Sequence, residues 1–469
     1  MPEKLAIFRE YDIRGIFKQD LTKESVVKIG YLIGLKLQEK GGKSLGVGYD
    51  ARLHSKEIFS WFCAGVFASG VRVYDLGAIP TPVCYYALYC DFEGLSLDGS
   101  VMITGSHNPP EYNGFKITLK RQPFFGEEIY KLEKEFYALN IKEVESKIID
   151  KIPQSLSVLP LYIDYLVKEF SHLKGLKVPL CIDCGNGIAG VGILEILKRL
   201  DISVNSLFEM PDGNFPNHHP DPSEEKNLKD IKKELELKGG IGFAFDGDGD
   251  RLAVLKATKE GIKNYKGDEL AIIFANSIKN PVVIGEVKCS QNMYEAINKI
   301  GKSIMYKTGH SNLKVMLKEC NADMAFEVSG HIFFNDRYFG FDDATYAALR
   351  VLELIKKDGL EFDKCLENLP TLYSTDEIKI QTQEEQKFLI IEKLKEVLQK
   401  RQNLPQNFPE ILEIITIDGV RVVFKDGWGL IRASNTTPVL VTRFEAVSAE
   451  LCRLYQNALL ELLEDIKNA

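Results

Sequence analysis

The sequence predicts an α/β protein made of several domains of similar plan, closed by a smaller α+β module. Three observations carry this. Strand-like and helix-like segments alternate over most of the 469 residues. The alternation restarts at intervals of roughly 100–120 residues, a common domain length. The last hundred or so residues abandon it for short strands punctuated by glycine.

Each element follows from its local pattern. Lys43–Tyr49 reads as a strand, Lys56–Ser69 as a helix, Val71–Leu76 as a strand and Ser100–Thr104 as an apolar strand ending at Gly105. The same order resumes with a strand at Val178–Asp183, a helix at Gly190–Leu200 and strands at Ile202–Phe208 and Gly240–Phe245. It resumes again with Asn280–Glu286, a helix at Gln291–Ile300 and Ser303–Tyr306. Repeated βαβ units argue for mixed or parallel sheets. Near the end, Glu384–Lys400 and Ser448–Lys467 read as helices. Between them, Ile411–Ile417, Val420–Lys425 and Trp428–Ala433 read as antiparallel strands turning at Gly419 and Gly427. Joints near Pro153–Pro160, Thr258–Lys263 and Pro370–Asp376 divide the chain into 1–152, 153–257, 258–369 and 370–469.

Composition narrows the function. The net charge is -8, whereas a nucleic-acid binder usually carries a basic excess. The nine cysteines are scattered and odd in number, which argues against a disulfide framework. Cys181-x-x-Cys184 lacks the further ligands a zinc site needs and reads as buried strand thiols. The first residues hold no apolar run, and no stretch reaches the ~20 apolar residues of a spanning helix. The expectation is a cytoplasmic protein without a membrane anchor.

Two motifs carry chemistry. In Thr104-Gly105-Ser106-His107-Asn108-Pro109-Pro110, glycine permits a tight turn and the prolines stop any helix. The serine hydroxyl therefore sits at the carboxyl end of a strand, where α/β ligands usually bind. His107 and, further on, Lys116 can assist proton transfer or hold phosphate charge. A Ser-His pair by itself reads more readily as a polar turn. Asp246-Gly247-Asp248-Gly249-Asp250-Arg251 is more specific, because three carboxylates at alternate positions can converge on one hard cation. An EF-hand is excluded, since Arg251 and Ala257 stand where glycine and glutamate are required. An anionic phosphoryl ligand would complete the ion's shell, and Arg251 suits a phosphate clamp.

Other segments are weaker alone. Arg432-Ala433-Ser434-Asn435-Thr436-Thr437-Pro438 gathers donors that can wrap a phosphate. Glu327-Val328-Ser329-Gly330-His331 can bind sugar hydroxyls, and Lys288 and Thr308–Ser311 add polar groups at strand ends. Gly185-Asn186-Gly187-Ile188-Ala189-Gly190 fits a dinucleotide fingerprint, with Glu209 ending the next strand. That keeps a nicotinamide-dependent oxidoreductase as a rival, although close helix–strand packing accounts for the glycines equally well. The Gly-Lys-Ser sites at 42–44 and 301–303 lack the upstream glycine of a P-loop.

These segments, with Phe8–Gly15 and Phe339–Asp343, resemble in content and order the α-D-phosphohexomutase superfamily, most closely its bacterial phosphomannomutase/phosphoglucomutase branch. The resemblance implies four domains around a central cleft, three mixed α/β and one smaller α+β. It implies a phosphoserine at Ser106 and Mg²⁺ held by Asp246, Asp248, Asp250 and the Ser106 phosphate. Arg14, His107, Lys116 and Arg251 then surround the transfer, and Tyr11, Lys288 and His310 line the cleft. Glu327, Ser329 and His331 match the sugar loop; Arg432, Ser434, Asn435 and Thr436 match the loop gripping the second phosphate.

The implied reaction interconverts hexose 1- and 6-phosphates of mannose or glucose through glucose 1,6-bisphosphate or its mannose counterpart. The implied partners are small hexose phosphates, with neither nucleic acid nor membrane, for a monomer or weak oligomer. Val328, Phe326 and Tyr338 depart from frequent Met, Gly and Trp and leave the preferred sugar open. Phosphoglucosamine mutases usually carry Gln at the Val328 position, which ranks that activity lower. A non-catalytic sugar-phosphate binding protein is the remaining alternative.

Overall fold

The computed structural model describes residues 7–384, 386–402, 404–405, 407–435 and 437–468. The chain forms two units: 1–267 with 329–363, and 268–328 with 364–469.

The first unit holds two sheets. In the larger, strands run in the order Ile13–Ile16, Tyr112–Leu119, Gly99–Ile103, Ser44–Tyr49, Arg72–Ala78 and Gln154–Ser155. Ser44–Tyr49 is parallel to both neighbours, whereas Tyr112–Leu119 is antiparallel to Gly99–Ile103. The predicted serine loop is therefore the connection between two antiparallel central strands. Beside this sheet, the helices Lys23–Glu39 and Ser55–Ala68 pack backbone to backbone. A Cβ on Gly30 would lie 2.3 Å from the Phe62 carbonyl oxygen, and one on Gly65 would lie 2.1 Å from that of Val27. Ile29, Ile33, Leu37, Phe62 and Val66 close the core against the sheet. The Lys23–Glu39 helix begins at a capping box formed by Thr22 and Ser25.

The second sheet runs Gly261–Tyr265, Leu252–Thr258, Ile241–Phe245, Leu180–Asp183 and Asn205–Leu207. Ile241–Phe245 pairs antiparallel with Leu252–Thr258, in register Phe245↔Leu252, so the aspartate motif is the tip of a hairpin. The joint expected at Thr258–Lys263 is also a hairpin turn: Thr258 pairs with Gly261, whose φ of +125° suits only glycine. Cys181 and Cys184 are buried free thiols, as their strand setting predicted.

In the second unit, Val282–Glu286 pairs in parallel with both Lys302–Tyr306 and Met324–Phe326. The C-terminal sheet is antiparallel, with Val439–Ala446 paired to Gly427–Ala433, which pairs with Val420–Phe424 and on to Glu413–Ile415. Helices Lys387–Lys400 and Ala449–Asn468 cover it, burying Leu394, Leu398, Leu459 and Leu463 against Val422, Leu440 and Phe444. Among the described residues, no helix is long and apolar enough to cross a membrane.

Candidate active site

Ser106 sits just past the Gly99–Ile103 strand with φ +49°, a conformation that non-glycine residues seldom adopt. Its N–H donates to Thr104 Oγ1 at 2.7 Å. Its hydroxyl lies 3.2 Å from His107 Nδ1 and donates to Asp246 Oδ2 at 3.1 Å. The serine and aspartate loops, far apart in sequence, thus meet at one point.

The three aspartates are fully buried, and each offers a carboxylate oxygen within 4.8 Å of the others. Asp246 Oδ1 accepts the N–H groups of Gly249, Asp250 and Arg251 at 3.0, 3.1 and 3.1 Å. That fixes the loop and leaves Oδ2 facing Ser106. Lys116, on the strand after the serine loop, reaches Asp248 Oδ2 at 2.7 Å and Asp250 Oδ2 at 2.5 Å. Among the described residues, the other oxygens, Asp248 Oδ1 and Asp250 Oδ1, are buried with no hydrogen-bond partner. Unsatisfied, desolvated carboxylate oxygens are what a hard divalent cation binds, so these residues fit such an ion.

Electrostatics follow from this crowding. Burial, reinforced by the charges of Asp248 and Asp250, pushes the Asp246 carboxyl well above the ordinary range. Burial works against charge on Asp248 too, but the Lys116 ammonium outweighs it and holds that carboxyl low. Burial likewise opposes charge on Lys116, and the Asp248 and Asp250 carboxylates overcome it, raising its pKa. His107 is pushed well below the usual imidazole range, first by desolvation and then by Arg251, Arg14 and Lys116. Burial and these cations therefore favour the uncharged ring beside the serine hydroxyl.

Arg14, buried beside Asn108, donates to its Oδ1 at 2.5 Å and also binds Asp12. Arg251 Nε donates to His331 Nε2 at 2.9 Å. With Nε2 accepting, the ring proton belongs on Nδ1, which faces Asp342 Oδ2 at 3.0 Å and Asp250 Oδ1 at 3.7 Å. Gly330 lies against Leu252, whose N–H donates to the Gly330 carbonyl at 3.0 Å, so Ser329–His331 is tied to the strand after the aspartates. Tyr11 is buried in the same unit. Sequence reasoning missed two contributors. Thr81 donates its hydroxyl to Asp248 Oδ2 at 2.5 Å, and only its place between two prolines after a strand hinted at this. Asp342 was part of a recognised segment without an assigned role.

The remaining candidates belong to the second unit. Buried Lys288 donates to Glu377 Oε1 at 2.6 Å and lies 3.4 Å from Glu286 Oε1. Glu286 Oε1 accepts the Val328 N–H at 2.9 Å, and Glu327 Oε1 accepts the N–H of Gly309, which precedes His310, at 2.6 Å. Arg432 Nε donates to Asp418 Oδ2 at 2.9 Å, and the same oxygen accepts the Thr308 N–H at 3.0 Å. Ser434 Oγ lies 2.8 Å from Thr437 Oγ1 and accepts the Thr437 N–H at 3.2 Å, shaping the loop around Asn435. Thr436 lies outside the described residues.

The dinucleotide-like glycines serve packing. A Cβ on Gly187 would lie 2.8 Å from the Gly247 carbonyl oxygen and 3.0 Å from that of Asp246. The loop after Leu180–Asp183 is thus the floor of the aspartate loop.

Serial α/β modules followed by an antiparallel module thus carry a serine hydroxyl held against a buried carboxylate triad fit for a divalent cation. Models of phosphoglucomutase/phosphomannomutase α/β/α domains I, II and III match residues 5–140, 160–260 and 266–373, and the C-terminal domain model matches 377–462. The chain belongs to this phosphoglucomutase/phosphomannomutase family. It is 41% identical over 455 residues to a phosphomannomutase/phosphoglucomutase of Pseudomonas aeruginosa strain PAO1, covering 95% of this chain and 92% of that one. It is 40% identical over 473 residues to a phosphoglucomutase of Neisseria gonorrhoeae, covering 98% and 96%. A crystal structure of a phosphoglucomutase/phosphomannomutase family protein from Burkholderia thailandensis superposes with TM-score 0.86 at 36% identity, covering 100% of this chain and 98% of that one.

Proposed function

We propose that this enzyme interconverts hexose 1-phosphate and hexose 6-phosphate, with mannose and glucose as its sugars and Ser106 as phosphoryl carrier. One observation supports this above the rest: the Ser106 hydroxyl lies 3.1 Å from a carboxylate oxygen of a buried aspartate triad, in a chain of this family. The P–Oγ bond of phospho-Ser106 breaks as a bond forms from phosphorus to the free hydroxyl of the sugar monophosphate, whose proton passes to a neighbouring base such as His107. The hexose 1,6-bisphosphate so formed turns over. Its other phosphoryl group returns to Ser106 Oγ, and the sugar oxygen it leaves takes back a proton.

Lys116, Arg14 and Arg251 supply fixed positive charge around the moving group, the dominant source of catalysis in phosphoryl transfer. Asp246, Asp248 and Asp250 would hold Mg²⁺, which when bound neutralises phosphoryl oxygens. Glu327, Ser329, His331, Lys288, His310 and Tyr11 would contact the sugar, and Arg432, Ser434, Asn435 and Thr436 the non-reacting phosphate. Glucose 1,6-bisphosphate would prime the carrier. The four domains would break near residues 152, 257 and 369. The working form would be a cytoplasmic monomer or weak oligomer.

The test is turnover of mannose 1-phosphate and glucose 1-phosphate with Mg²⁺ and a trace of glucose 1,6-bisphosphate, comparing wild type with Ser106→Ala. Both sugars should react in wild type, and the variant should lose nearly all activity. An equally active Ser106→Ala enzyme would rule out the carrier role.

A further inference from the structure

Arg52 follows the Ser44–Tyr49 strand and is buried. Its side chain makes contacts that none of the chemical motifs foretold. Nη2 donates to the carbonyls of Ser106 at 2.8 Å and Asn108 at 2.6 Å. Nη1 donates to those of Pro109 at 2.5 Å and Tyr112 at 3.0 Å. Nε donates to Asp50 Oδ2 at 3.1 Å. The same Asp50 oxygen accepts the Thr104 hydroxyl at 2.8 Å and the Gly105 N–H at 3.3 Å. One planar cation thus holds most of the serine loop by its backbone. Gly105 is obligatory for this, because a Cβ there would lie 2.5 Å from Arg52 Cζ.

A second segment closes on the same residue. The guanidinium carbon lies 5.2 Å from the centre of the Phe215 ring, and Phe215 has φ +50°. A Cβ on Gly213 would lie 2.6 Å from Arg52 Cα. Beyond that turn, Pro220 packs on the aspartate loop, 3.4 Å from the Cβ position of Gly247. The guanidinium therefore lies between the serine loop and the chain leading to the aspartate loop.

We propose that Arg52 is a positioning residue for the phosphoryl carrier: it fixes the Ser106 backbone and seats the Gly213–Phe215 turn beside it, keeping the Ser106 hydroxyl aimed at Asp246. The proposal rests on Ser106 being the carrier. Lysine cannot replace this fork, because an ammonium is a point donor and cannot serve carbonyls spread over a plane. A misplacement of about 1 Å at a reacting atom costs on the order of 100-fold in rate.

The experiment compares Arg52→Lys with wild type in kcat, KM and the rate at which glucose 1,6-bisphosphate phosphorylates Ser106, read by intact mass, with circular dichroism reporting the fold. The expected result is a folded protein with kcat and serine phosphorylation both lowered roughly 10–100-fold at nearly unchanged KM. Wild-type kcat and phosphorylation rate in a folded variant would overturn the proposal, as would a loss confined to KM or to thermal stability. Should Arg52→Lys fail to fold, Phe215→Leu keeps the guanidinium and removes its ring contact. A kcat-selective loss of about 3-fold or more is then expected, the lower end of the scale for a cation–π contact, and none would overturn the proposal. An active Ser106→Ala enzyme would instead sink the carrier reading itself, whatever Arg52 does.

Discussion

Replacing Lys116 by methionine removes a charge while nearly keeping the side chain's volume. In the wild type the ammonium bridges Asp248 and Asp250 at 2.7 and 2.5 Å, and all of these groups are buried. Without it, Asp246, Asp248 and Asp250 face one another with their nearest cation gone. Breaking a buried pair by deleting one partner costs about 3–5 kcal/mol. At roughly 2 °C per kcal/mol for domains of this size, the melting temperature should fall by about 6–10 °C in the presence of a chelator. A divalent ion should then matter more to the variant, since it binds the carboxylates without competition from the ammonium. An ion at about 100 times its dissociation constant contributes ~2.7 kcal/mol. Calorimetry of both proteins, with chelator and with millimolar Mg²⁺, measures this. If the variant melts within about 2 °C of wild type in chelator, or if Mg²⁺ raises both melting temperatures equally, the account of the triad given above is wrong.

Two further outcomes follow from the packing and the charges. Gly187→Ala places a methyl group 2.8 Å from the Gly247 carbonyl, so the aspartate loop must shift. Stability should drop by about 1–3 kcal/mol and Mg²⁺ affinity with it, whereas unchanged metal titration curves would count against the floor role of this loop. Burial pushes the Glu286 carboxyl up to about 7, with Lys288 opposing and Glu327 and Glu377 reinforcing. Between about pH 4.5 and 7 the folded chain therefore holds a proton that the unfolded chain has lost, and this group's contribution to stability falls as pH rises. Glu286→Gln keeps an acceptor for the Val328 N–H and should flatten that slope. Parallel melting-temperature profiles for both proteins from about pH 5 to 8 would refute it.

The chemistry was legible where it is written locally. The serine and aspartate loops announce themselves because glycine and proline set turns at strand ends and the reactive groups are adjacent in sequence. The helix Lys23–Glu39 escaped notice for the opposite reason. It is buried around most of its circumference, so it carries little amphipathic rhythm, and only Thr22 and Ser25 mark its start. The Thr258–Lys263 turn read as a linker because polar hairpin tips and joints share a composition. Arg52 and Thr81 were invisible as functional residues because their partners, the carbonyls from Ser106 onward and the carboxylate of Asp248, are remote in sequence. The glycines at 185–190 were readable as glycine but ambiguous in purpose until the aspartate loop lay on top of them.

The interleaving of the two units bears on synthesis at the ribosome. The first unit needs residues 329–363, which leave the exit tunnel only after 268–328 of the other unit. Until then the Tyr162 hydroxyl lacks Asp343, and Lys256 lacks Asp363. Roughly a hundred residues separate the end of the first stretch from the end of the second, a wait of about 5–20 s at typical elongation rates. During it the apolar face awaiting the helix Ala344–Asp358 stands open to solvent. The nascent chain is thus most in need of a chaperone in mid-translation, and a synonymous-codon pause placed within 268–328 would lengthen that exposure.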